Sequence, residues 1–253
     1  SSAPVFDDTD KDTISIENDC YKIVFSKKNG ALLAIEDKIN GETVSAGSVG
    51  GELWRLNFYK RKSITNKDFS AGSQERPFEY KCQKSKGELS FLYQDKTSGF
   101  QFKIKALASK KNYLDFQVEI ESAYEEPAIL LNFPEGLSFK LEKLRQVIFP
   151  FRGGLALKPG FFLERRYISE SQYLFSDYFA AEFDKSNFSL YTIQNPSRWT
   201  EATMSVGYDS YQGGVGFYTY AQATYIQKSK KKTGSSGYWS SPVIRMRIAE
   251  PVK

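Results

Sequence analysis

Apolar and polar residues alternate with a period of two along most of this chain, the pattern of strands buried on one face. Ile14 and Ile16 alternate with Ser15 and Glu17, and Tyr21, Ile23 and Phe25 with Lys22, Val24 and Ser26. Leu53, Arg55, Asn57 and Tyr59 alternate with Trp54, Leu56 and Phe58. The clearest pair lies near mid-chain. Phe100, Phe102, Ile104 and Ala106 share one face against Gln101, Lys103 and Lys105. Leu114, Phe116, Val118 and Ile120 share another against Asp115, Gln117, Glu119 and Glu121, with Lys110-Lys111-Asn112 as the turn between. One outer face is basic and the other acidic, which predicts cross-strand charge pairs. Later strands are predicted over 188–193, 214–220 and 243–248.

The punctuation agrees with this reading. Asn29-Gly30 and Asn40-Gly41 mark hairpins, because both residue types tolerate positive φ. Helical periodicity is nearly absent; 136–144 and 169–179 offer room for short helical turns. Turn signals recur roughly every ten residues, which favours an antiparallel sandwich over βαβ units. The stretch 149–166 carries Pro150, Gly153, Gly154, Pro159 and Gly160 and predicts a long loop or a bend between sheets. No internal repeat stands out. The expectation is an all-β protein, a large antiparallel β-sandwich over 13–253 behind a flexible segment, 1–12, with acidic residues from Asp7 to Asp12.

Composition narrows the chemistry. Aromatics reach 15%, which suits strands and also suits sugar recognition. Histidine is absent, which excludes Ser-His-Asp and Cys-His catalysis as usually built, together with imidazole metal ligands. With only Cys20 and Cys82 beside that absence, no ordinary zinc site can form. These two cysteines are read as buried thiols in strands, a disulfide between them being the alternative. The net charge is +5, yet the densest basic run, Lys228 with Lys230 to Lys232, adjoins Gly234 to Gly237 and reads as a solvated hairpin tip. No nucleic-acid motif accompanies it. Gly47-Ser48-Val49-Gly50-Gly51 lacks the Lys-Ser/Thr of a phosphate loop. No apolar run approaches the roughly 20 residues of a membrane span. No cofactor or metal is expected.

Three kinds of site remain open on residue types. A carboxylate pair drawn from Asp177, Glu182, Asp184 and Glu201 would serve glycoside hydrolysis. Tyr167, Tyr173 or Tyr178 with Arg165, Arg166 or Arg198 would serve a polysaccharide lyase, where a base takes a proton and arginine neutralises a carboxylate. For each of these residues a plain surface role is the commoner outcome, and no catalytic residue is assigned. The third kind is a binding rim on the loops 149–166 and 195–199, built from Arg152, Phe162, Arg165, Arg166, Arg198 and Trp199. Trp54 is read as core, and Trp239, which opens a late strand, as either core or platform.

Several segments, in order, resemble a known domain. Ile16-Glu17-Asn18-Asp19-Cys20-Tyr21-Lys22-Ile23-Val24-Phe25-Ser26, then Asn29-Gly30-Ala31-Leu32 and Asp37-Lys38-Ile39-Asn40-Gly41, are similar to the opening hairpins of the β-sandwich that precedes the barrel in many bacterial glycoside hydrolases. Gln146-Val147-Ile148-Phe149-Pro150-Phe151-Arg152-Gly153-Gly154 resembles the same proteins' mid-domain stretch, and 178–184 with Leu190-Tyr191 a later strand pair. The resemblance covers most of the chain in patches. It implies a galactose-mutarotase-like supersandwich, carbohydrate as the substrate class, and a catalytic (β/α)8 barrel C-terminal to it, for which the chain, stopping at Lys253, has no room. It also implies no epimerase activity, since mutarotases rely on histidine. The family often carries an acidic residue where Gln194-Asn195-Pro196 stands here. The expected function is therefore that of a carbohydrate-associated, non-catalytic N-terminal domain of a secreted glycoside hydrolase, extracellular or at the cell surface. Its expected partners are an oligosaccharide or polysaccharide and a C-terminal barrel in the parent chain. The alternatives are a free-standing glycan-binding or surface protein and a polysaccharide lyase.

Overall fold

The computed structural model describes residues 2–45, 47, 52–59, 69–72, 78–95, 100–122, 128–134, 137–149, 155–159, 167–171, 178–193, 201–209, 214–225, 237–241 and 243–248. The chain opens with a five-stranded antiparallel meander: β1 (Val5–Asp7), β2 (Thr13–Glu17), β3 (Tyr21–Ser26), β4 (Leu32–Asp37) and β5 (Glu42–Ser45). Two strands of a second sheet follow, β6 (Arg55–Tyr59) and β7 (Phe69–Gly72). Four strands of a third come next: β8 (Phe78–Gln83), β9 (Glu88–Asp95), β10 (Phe100–Ala108) and β11 (Tyr113–Ser122). The chain then alternates between the second and third sheets. It passes through β12 (Ala128–Asn132), β13 (Leu137–Lys140), β14 (Leu144–Phe149), β15 (Leu155–Leu157) and β16 (Tyr167–Ser171). After these come β17 (Phe179–Phe183), β18 (Asn187–Ile193), β19 (Glu201–Asp209), β20 (Gly214–Tyr225), β21 (Gly237–Ser240) and β22 (Val243–Ile248).

The third sheet has ten strands in the order β15-β14-β17-β18-β22-β11-β10-β9-β8, with β21 also on β11. The second has seven, in the order β16-β19-β20-β12-β6-β7, with β13 also on β20. The ten-stranded sheet forms one layer and the other two sheets cover its inner face. Phe25 of β3 meets Phe91 of β9 with ring centroids 5.3 Å apart. Trp54, just before β6, stacks at 4.5 Å on Phe102 of β10. Phe139 of β13 packs at 5.3 Å on Phe188 of β18. The two covering sheets join where Ser45 Oγ of β5 donates to the Ser138 carbonyl of β13 at 2.8 Å. One cluster of buried apolar side chains runs through the space between the layers.

Side-chain alternation decides which residues enter that cluster. Phe102, Ile104 and Ala106 of β10 and Leu114, Phe116, Val118 and Ile120 of β11 are fully buried, as the period-two pattern predicts. The charge pairing also forms: Lys105 donates to Glu119 at 2.5 Å. It forms on the diagonal, because the register sets Lys105 opposite Gln117 and Lys103 opposite Glu119. Both Asn-Gly hairpins are present, with connections of five residues (27–31) and four residues (38–41) in which glycine supplies the positive φ, 75° at Gly30 and 65° at Gly41.

One local expectation needs correction, and the short helical turn expected within 136–144 is present. The stretch 149–166 is not one long loop, because Leu155–Leu157 forms β15 and pairs antiparallel with β14. Leu157 is buried there, so apolar burial at the sheet edge wins over the flanking glycines and proline. The stretch 136–144 holds β13 followed by a single 3-10 turn, Leu141–Lys143, and 169–171 closes β16 as strand. Within segment 1–12, Val5–Asp7 pairs with β2 as β1.

Candidate functional site

The outer face of the ten-stranded sheet carries the side chains that alternation turns away from the core. On β17, Phe179, Ala181 and Phe183 point inward, leaving Ala180 and Glu182 outward. On β18, Phe188 and Leu190 point inward, leaving Asn187, Ser189 and Tyr191 outward. On β22, Ile244, Met246 and Ile248 point inward, leaving Arg245 and Arg247 outward. Register arranges these as a grid. Ala180 lies opposite Ser189, and Ser189 opposite Arg247. One step along the strands, Glu182 lies opposite Asn187, and one step the other way Tyr191 lies opposite Arg245.

Two small residues therefore sit side by side at the centre of larger ones. The result is a groove of about 140 Å³ lined by Tyr178, Glu182, Asn187, Tyr191 and Arg247 around the Ala180–Ser189 floor. Ala180 is only 3% exposed although it faces outward, because its neighbours overhang it. The tyrosine wall is a ring pair, Tyr178 and Tyr191, with centroids 5.9 Å apart and planes 36° apart. On the opposite wall Gln146 Nε2 of β14 donates to Glu182 Oε2 at 2.5 Å, which orients the carboxylate.

Beyond the groove the charges are committed to one another. Arg245 makes a two-pronged bond to Asp115, Nε to Oδ1 at 2.7 Å and Nη2 to Oδ2 at 2.8 Å. Its guanidinium lies 3.5 Å above the centre of the Tyr113 ring. The Asp115 hydrogen bonds hold Arg245 still further into its charged form than an ordinary arginine. Arg145 pairs with Asp184 at 2.8 Å on exposed surface.

These placements sort the residues expected from sequence. Arg152, Phe162, Arg165, Arg166, Arg198 and Trp199 lie outside the described residues, as do Tyr173 and Asp177. Glu182 lines the groove, whereas Asp184 is turned to Arg145 and Glu201 belongs to β19 in the other layer. Tyr178 lines the groove, while Tyr167 sits on β16 of the seven-stranded sheet. The carboxylates and tyrosines grouped by proximity in sequence are thus divided between two sheets. Trp54 is fully buried, as expected, and Trp239 falls in β21. Cys20 and Cys82 are both free thiols, half-buried, Cys82 in β8 and Cys20 in the turn before β3. Burial pushes the Cys82 thiol up, keeping it protonated and weakly nucleophilic at neutral pH. Tyr191, Arg247, Asn187 and Ser189 were not among the site residues expected from sequence; the outward polar set of β18 was the available signal. Among the described residues no group of three or more Cys, Asp or Glu is placed to hold a metal ion, and no helix is long and apolar enough to cross a membrane.

No protein-family model and no curated protein matches the sequence. Solved structures do match the fold. A galactose mutarotase related enzyme from Lactobacillus acidophilus aligns over 94% of this chain and 98% of its own, with a TM-score of 0.57 at 11% identity. A galactose 1-epimerase from Lactobacillus acidophilus aligns over 99% and 100%, with a TM-score of 0.56 at 10% identity. The chain has the galactose-mutarotase-like fold. The same supersandwich is matched within a larger enzyme, an α-N-acetylgalactosaminidase from Bifidobacterium bifidum, with a TM-score of 0.61 at 11% identity. That match takes in 93% of this chain and 36% of the glycosidase.

Proposed function

We propose that this supersandwich is a carbohydrate-binding unit with no catalysis of its own, serving beside a glycoside hydrolase catalytic domain. The observation that carries the reading is the groove itself. Tyrosine rings form one wall, where the C–H face of a pyranose can pack. A carboxylate, an amide and a guanidinium stand around the remainder, the groups that bond sugar hydroxyls. Among the described residues lining this groove Glu182 is the carboxylate, and paired acid–base hydrolysis needs two. The absence of histidine removes imidazole as a substitute acid or base. The fold adds support, being shared with a galactose 1-epimerase and with part of an α-N-acetylgalactosaminidase.

The test is calorimetric titration of the purified chain with galactose, N-acetylgalactosamine, glucose and their oligomers, together with a turnover assay. Saturable binding is expected, weakened about tenfold or more (about 1.4 kcal/mol) by Tyr191→Ala or Glu182→Gln with an unchanged melting curve. A parallel Trp199→Ala variant tests the loop position expected from sequence. Absence of binding to every sugar would sink the reading. Turnover that disappears in Glu182→Gln would replace it with an enzyme.

A further inference from the structure

The groove is blind on its β22 side. Its floor row runs Ala180, Ser189, Arg247 across β17, β18 and β22, and the next residue in that row is Tyr113 of β11. Tyr113 does not prolong the groove, because the Arg245 guanidinium lies 3.5 Å from the centre of its ring. Asp115 grips that guanidinium through Nε and Nη2, so ring and guanidinium form a fixed block of double thickness behind Arg247. The tyrosine pair closes a second side and the Glu182–Asn187 row a third. A glycan seated on the floor therefore leaves toward solvent or over β14. Room is limited as well. A cavity of about 150 Å³ holds a single benzene ring. This groove of about 140 Å³, open to solvent, seats one pyranose and has no space for a second.

Resting on the carbohydrate reading above, we infer that the groove is an end-on site for the single non-reducing terminal residue of a glycan. Polar groups meet that one ring from three directions: Glu182 and Asn187 from the wall facing the tyrosines, Ser189 from the floor and Arg247 from the blind end. Such a set favours free hydroxyls, and a non-reducing terminal residue keeps one more of them than an internal residue of the same chain. Gln146 holds the Glu182 carboxylate in place, so the wall does not swing aside for a substituent. Capping a terminal hydroxyl removes a donor and adds bulk against a closed side. The anomeric carbon, which carries the rest of the chain, faces the way out.

The experiment is calorimetry on the intact chain with linear β-1,4-linked oligomers of glucose, galactose and N-acetylglucosamine, one to six units long. In the series that binds, affinity should stay within threefold from one unit to six. A 4-O-methyl group on the non-reducing residue should weaken it at least tenfold, while a methyl glycoside at the reducing end should leave it within threefold. Ala180→Leu, which fills the floor, should abolish binding with an unchanged melting curve. Ser189→Leu repeats that test from the neighbouring strand and guards against loss of folding in the first variant. Affinity that climbs with length beyond threefold, or that tolerates the 4-O-methyl group, would overturn the end-on site. So would binding that survives both floor variants. No binding by any series would overturn the carbohydrate reading itself.

Discussion

Asn18 uses nearly all of its hydrogen-bonding capacity on the join between two sheets. Its Nδ2 donates to the carbonyls of Ser109 and Lys111, both at 2.9 Å, in the turn that leads to Tyr113. Its Oδ1 accepts from the amides of Cys20 at 2.7 Å and Tyr21 at 3.0 Å. Tyr21 adds its hydroxyl to the Ser109 carbonyl at 3.2 Å, and burial pushes that phenol up, so it remains a neutral donor at ordinary pH. Asn18 is only 3% exposed, so its partners have little water to turn to. Asn18→Ala is expected to lower unfolding stability by about 2–4 kcal/mol, read as a shift in the urea midpoint at constant slope. A loss below about 0.5 kcal/mol would mean that the stranded carbonyls rehydrate and the clasp contributes nothing. Asp37 shows the same economy within one hairpin. Its Oδ1 accepts from the amides of Ile39 and Asn40, and its Oδ2 takes the Asn40 side chain at 2.7 Å. The Asp37-to-Gly41 motif seen in the sequence is therefore a turn with its own cap.

The connection between β1 and β2 holds two carboxylates whose hydrogen bonds acid should release. Between β1 and β2, Asp7 Oδ1 accepts from the Thr9 amide at 3.0 Å and its hydroxyl at 2.7 Å. Asp10 Oδ1 accepts from the amides of Asp12 at 2.8 Å and Thr13 at 2.9 Å. Lys27 Nζ, from the β3–β4 turn, donates to the carbonyls of Asp8 and Asp10. These amide bonds hold both carboxyls below the ordinary value of 3.8. A depressed folded pKa means that the contribution is complete above the unfolded value and disappears as pH falls through the folded one. Acidification from pH 5 to pH 2 is therefore expected to loosen this turn before the rest of the sandwich. Amide hydrogen exchange should then rise at Thr9, Asp12 and Thr13 while β3 and β11 stay protected. Unchanged exchange at Thr13 down to pH 2 would show that the carboxylates do not hold it.

The whole molecule depends on aromatic side chains that cross between layers. Trp54 is fully buried, stacked at 4.5 Å on Phe102 and edge-on to Tyr93 at 5.0 Å. It enters from the seven-stranded sheet and meets two strands of the ten-stranded one, so its loss opens a cavity at the junction of layers. Trp54→Ala is expected to cost about 3–5 kcal/mol, and Trp54→Phe clearly less, by chemical denaturation. A cost below about 1 kcal/mol for the alanine variant would show that the layers close over the gap.

The sequence by itself determined the all-β class, the faces of β10 and β11, both Asn-Gly hairpins and the burial of Trp54. Each follows from information held within a few residues: the period of alternation, a turn dipeptide, one large apolar side chain in an apolar run. Only tertiary structure decided the groove. Alternation tells which way Ser189 and Arg247 point, but not that Ser189 lies between Ala180 and Arg247. That adjacency depends on register between strands, which is settled by how distant segments bury their inner faces together. The same reason puts Glu182 and Glu201, close in sequence, on different sheets. Consecutive segments here alternate between two sheets, so neighbours in the chain are sent to opposite layers, and residues far apart in it meet on one face.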